Sequence, residues 1–133
     1  MGFRRILPMC AFAALLTSCG GVIDPSKNQS TPITGQVGVG GALITSVSLS
    51  KQGEVEATVT AVTPTPANGP LGMYLGADSG GNCLQMLGYG PFPAIVNRTV
   101  QFGVVQKGNY CLGVYDPGVL TVAANVTGNI SHP

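Results

Sequence analysis

The chain has 133 residues, with six Lys or Arg against five Asp or Glu, 20 glycines, ten prolines and 44% hydrophobic residues. That length allows one domain, and its sparse, balanced charge leaves no electrostatic footprint for nucleic acid and no basic patch for anionic lipid. Apolar residues recur at regular intervals, and the glycines and prolines punctuate them, as expected of many short strands joined by turns rather than of a disordered chain.

The first residues, Met1-Gly2-Phe3-Arg4-Arg5, are basic, and Ile6 to Leu16 are apolar. This apolar run of about 11 residues is too short for a bilayer-spanning helix, which needs roughly 20, and fits an export signal. It ends in Leu16-Thr17-Ser18-Cys19, which resembles the lipobox of bacterial lipoproteins. The resemblance implies cleavage before Cys19, a diacylglycerol on its thiol and acylation of the new amino group. Two or more acyl chains make a stable anchor where one is marginal. An ordinary signal peptide with a chance cysteine is the alternative. Gly20 stands where an aspartate would signal inner-membrane retention, so in a host with two membranes the outer one is expected. The expected organisation is a signal over residues 1–18, a lipidated Cys19 with a flexible tether to residue 32, and a β-sandwich domain over 33–133.

Cysteine use agrees with an oxidising compartment. Cys10 leaves with the signal and Cys19 takes the lipid, so Cys83 and Cys111 remain as an even pair and are expected to form a disulfide. A metal alternative would need further Cys or His ligands, and the sole histidine, His132, stands one residue from the end.

After the tether, apolar and polar residues alternate with period two. Val47 and Leu49 alternate with serines, Lys51-Gln52-Gly53 turns, and Val55, Ala57, Val59 and Ala61 then line one face. These two segments predict a hairpin, with Glu54 and Glu56 on its solvated side. Thr63 to Pro70 is a loop. Short strands are expected at Leu71 to Leu75 and Cys83 to Leu87, and a long irregular loop from Tyr89 to Arg98. Val100, Phe102 and Val104 mark the next strand. In the one after it, Tyr110, Leu112 and Val114 lie opposite Cys111, Gly113 and Tyr115. Asp116-Pro117-Gly118 fits a type II turn, and Leu120 to Ile130 a final strand. Seven or eight strands with no helical period predict an all-β antiparallel sandwich.

The segment Lys107-Gly108-Asn109-Tyr110-Cys111-Leu112-Gly113-Val114-Tyr115, with the Thr/Val-rich strand after it, resembles the end of bacterial pre-peptidase C-terminal domains. That resemblance spans residues 40–131 and implies a small jelly-roll-like sandwich serving as an accessory module. The aspartate-rich segment often found in the family is replaced here by Leu71-Gly72-Met73-Tyr74-Leu75.

No Gly-x-Ser-x-Gly elbow, His-Glu-x-x-His pair or phosphate-binding glycine loop is present, and His132 falls at a terminus expected to fray. The sequence therefore predicts a non-catalytic protein that needs no cofactor. Two candidate sites arise. Asp78, Asn82 and Asp116 could supply oxygen ligands to calcium if their loops meet, or could serve as turn residues. Tyr89 and Phe92 could form an aromatic platform for a glycan or protein partner, or fold back over the core. A membrane-anchored interaction module is expected; the alternatives are an assembly protein docking by strand addition and a calcium- or carbohydrate-binding module.

Overall fold

The computed structural model describes residues 27–133. The signal, Cys19 and the first part of the expected tether lie outside the described residues. Within them the protein is all-β, as the alternation predicts, with nine strands in two antiparallel sheets. The strands are β1 (Gln29–Val37), β2 (Ala42–Leu49), β3 (Gly53–Thr63), β4 (Leu71–Ser79), β5 (Asn82–Gln85), β6 (Phe92–Ala94), β7 (Thr99–Val105), β8 (Gly108–Tyr115) and β9 (Ala124–His132). Sheet A runs β1-β9-β3-β7. Sheet B runs β2-β8-β4, with β5 and β6 both paired to the far side of β4. Without β5, this is the eight-strand order of a jelly roll.

Alternation explains which side of each strand is buried. Ile33 and Val37 of β1, Val55, Ala57 and Val59 of β3 and Val126 and Ile130 of β9 point inward from sheet A. Leu71, Met73, Leu75, Leu112 and Val114 meet them from sheet B. The outer face of sheet A is polar, and two pairs of threonines hydrogen-bond across its strands, Thr58 with Thr99 at 2.8 Å and Thr60 with Thr127 at 3.3 Å.

Several expectations are corrected. β2 and β3 do not form a hairpin: β2 pairs with β8, and β3 with β7 and β9. The three residues 50–52 carry the chain from one sheet to the other, so the two apolar faces meet across the core instead of lying side by side. The domain also starts earlier than residue 33. Residues 29–32, read as tether, pair in register with Asn129 to His132. Their polarity belongs to an edge strand, where Pro32 is tolerated because its missing N–H can face the open side. The Tyr89-to-Arg98 loop contains the short strand β6. The last strand begins at Ala124, after a bend in which Leu120 is buried and Val122 exposed.

His132 does not fray. It is 4% exposed, shares a 2.7 Å hydrogen bond with Thr31 Oγ1, and pairs with Gln29. Because Ile33 is fully buried, Ile33→Ala is expected to cost about 2 kcal/mol in denaturant unfolding. A loss of under about 0.5 kcal/mol, the range of surface substitutions, would show that β1 is not part of the core.

Candidate functional site

The outer face of sheet B is built from what its two central strands leave outside. In β4, inward Leu71, Met73 and Leu75 leave Gly72, Tyr74 and Gly76 outward; in β8, inward Leu112 and Val114 leave Cys111, Gly113 and Tyr115. The register sets Gly72 opposite Tyr115, Tyr74 opposite Gly113 and Gly76 opposite Cys111. In each of these three pairs a side chain thus faces a glycine. A methyl group on Gly113 would overlap the Tyr74 ring, and one on Gly72 the Tyr115 ring. Each ring therefore lies across the neighbouring strand, filling space that a side chain would otherwise take. The ring centroids are 5.9 Å apart with planes tilted by 54°.

Two structures brace this pair. Tyr74 Oη donates to the Cys83 carbonyl at 3.4 Å, and Cys83 is joined to Cys111 by the expected disulfide, with a Cα–Cα distance of 5.8 Å. In a flat sheet, strands two apart stand roughly 9–10 Å from one another, so β5 must curl over β4 to reach β8. Gly76 makes the curl possible: a Cβ there would stand 2.6 Å from the Leu84 carbonyl oxygen and 2.8 Å from Cys83 Sγ.

Asp116 holds the other end. Its Oδ1 accepts from the backbone N–H groups of Gly118 (2.8 Å), Val119 (2.7 Å) and Leu120 (3.1 Å), and its Oδ2 from Gly40 N–H (2.8 Å). These bonds, that from Gly40 foremost, outweigh the cost of burial and hold the carboxyl down at about 2, against an ordinary 3.8. The carboxylate ties the β1–β2 turn to the β8–β9 connection.

Recesses flank Tyr115 on both sides. One, of about 400 Å³, is bordered by Gly40, Ala42, Tyr74, Gln85, Tyr115 and Asp116. The other, of about 210 Å³, lies beyond the Tyr115 ring between Gly72, Phe92 and the prolines at 70, 91, 93 and 117. Gln85 Nε2 donates one N–H to the Gly90 carbonyl at 2.8 Å, which leaves its second N–H and its amide oxygen for a ligand.

The calcium set is not assembled. Asp78 and Asn82 sit at the β4–β5 turn, whereas Asp116 follows Tyr115, which lies level with Gly72, roughly 20 Å away along the strand. No three His, Cys, Asp or Glu gather as metal ligands among the described residues. Tyr89 and Phe92 fold back over the core. Tyr89 Oη donates to the Val104 carbonyl at 3.4 Å, and the Phe92 ring packs on Phe102 at 5.8 Å while also bordering the smaller recess. Tyr74 and Tyr115 are not among the candidate site residues that the sequence singles out. The available signal was the repeated Gly-x-Tyr of Gly72-Met73-Tyr74 and Gly113-Val114-Tyr115.

No family model matches the chain, and no curated protein matches it in sequence.

Proposed function

We propose that the protein is a lipid-anchored, non-catalytic binding module of the bacterial envelope, held at Cys19, and that the outer face of sheet B is its ligand face. The observation that supports the binding role most is the Tyr74–Tyr115 pair, laid over glycines and flanked by two recesses. Preformed concave sites with aromatic walls and few polar groups are the usual form of ligand pockets. The anchor rests on the lipobox resemblance, and the jelly-roll strand order supports the likeness to pre-peptidase C-terminal domains. In a host with two membranes, the outer one is the proposed location.

The test combines palmitate labelling with site-specific crosslinking in intact cells. Label should appear on the native protein and vanish in Cys19→Ala, which should also leave the membrane fraction. A photo-crosslinker at Gln85 should give discrete adducts, whereas one at Thr60, on the outer face of sheet A, should not. Equal adducts at both positions, or none at Gln85, would remove the assignment of the face.

A second reading, docking by strand addition, has its own support. β2 is an eight-residue edge strand in continuous register with β8, without Lys, Pro or a bulge. The sheet A edges are guarded, β1 by Pro32 and β7 by the register shift opposite Val55 and Glu56. Crosslinks centred on Ser46 rather than Gln85 would favour it.

A further inference from the structure

We infer that the outer face of sheet B binds a neutral oligosaccharide that crosses Tyr115, with sugar units on both sides of the ring. The inference rests on the ligand-face reading above and gives that face a ligand class.

Three features of the face point to this chemistry. The first is geometric. Both rings are backed by glycine, which leaves an aromatic face available to the C–H side of a pyranose. Tyr115 also borders both recesses, so a ligand longer than one ring passes over it.

Charge is the second. The outward positions of β2, β8 and β4 carry no lysine or arginine, and the one charged group at the recess is the Asp116 carboxylate. A phosphate or carboxylate ligand would meet repulsion there with nothing to pair with, which favours an uncharged ligand.

The third is the balance of donors and acceptors. Gln85 gives one N–H to Gly90 and keeps its second N–H and its carbonyl oxygen, and Asp116 is held as an acceptor. The side chains of the larger recess therefore offer both roles, with Gln85 and the tyrosine hydroxyls able to donate or accept and Asp116 accepting. Sugar hydroxyls both donate and accept, and so find partners of either kind. A proline-rich peptide, which also suits tyrosine and proline walls, offers mainly carbonyls and would leave the acceptors of the recess, the Gln85 oxygen and the Asp116 carboxylate, without donors. The four prolines of the smaller recess fix its walls in advance, which lowers the ordering cost of binding.

The test uses the full lipidated chain in nanodiscs, titrated calorimetrically with neutral gluco- and N-acetylglucosamine oligomers and with a proline-rich decapeptide. Saccharide binding that strengthens from dimer to tetramer is expected. Tyr115→Ala should weaken it by about tenfold or more, and Tyr115→Phe by no more than about threefold, because the ring face is retained. Melting curves of both variants must show a folded domain; if Tyr115→Ala does not fold, Gln85→Ala, with an expected loss of about fivefold, takes its place. Binding only to the peptide, or saccharide binding indifferent to these substitutions, would overturn the inference. If no saccharide binds while the Gln85 crosslinker still gives specific adducts, the inference fails and the ligand-face reading stands. Absence of both removes the two together.

Discussion

Replacing Cys83 and Cys111 together by alanine is expected to lower stability by about 3–4 kcal/mol, the chain-entropy value for closing a loop of 28 residues. For a domain of this size that corresponds to a fall in Tm of roughly 15–25 °C. The loss should be uneven. β5 is four residues long, pairs only with β4 and contributes no residue to the buried core, whereas Leu112 and Val114 of β8 are fully buried. Without the disulfide, β5 should lift from Gly76 first, and Tyr74 loses the carbonyl its hydroxyl reaches. Hydrogen exchange should therefore accelerate at residues 82–85 well before it does in β8. A uniform change, or a stability loss below about 1 kcal/mol, would mean that β5 keeps its place unaided.

Asp116→Ala should also destabilise strongly, by on the order of 15 °C in Tm, since it strands four backbone donors at once. Asp116→Asn is the sharper probe. An amide can present one oxygen to Gly118, Val119 and Leu120, but its nitrogen then opposes the Gly40 N–H. The pH dependence follows from the direction of the shift. The carboxyl is ordinary in the unfolded chain, near 3.8, and depressed to about 2 in the folded one. Its contribution is therefore complete above about pH 4–5 and lost as pH falls through 2. The gap in Tm between the native protein and Asp116→Asn should be widest from pH 5 to 7 and close towards pH 2. Glu54, Glu56 and Asp78 are common to both proteins and cancel in the difference. A gap independent of pH would show that the ionised form is not what the backbone holds.

Most strands, and the inward side of each, were legible because alternation is a local property. Val55, Ala57 and Val59 in β3, and Leu112 and Val114 in β8, are buried as their period requires. Which strand stands beside which is not local. Lys51-Gln52-Gly53 can close a hairpin or cross between sheets, and the choice is made by partners as distant as Gly108 to Tyr115. The same blindness hid the candidate site. Reading β8 placed Tyr115 and Gly113 on the outward side, but only the register with β4 shows each tyrosine facing a glycine. Tyr89 and Phe92 drew attention because they sit among glycines and prolines, and the core claims both. The start of β1 was missed because an edge strand with one polar face and a proline reads like a linker.

The place of β9 between β1 and β3 bears on the order in which the chain can fold. Sheet A has no interior until the final residues arrive, and β1, made early, waits for a partner encoded some hundred positions later. β2 likewise waits for β8. The one pairing available from neighbouring sequence is the short β4–β5 ribbon, which has too little apolar surface to persist alone. The strands of sheet B are all present once β8 is made, whereas sheet A stays a β3–β7 pair until β9 arrives. Nearly every contact is remote in sequence, so folding is expected to be slow for a domain of this size.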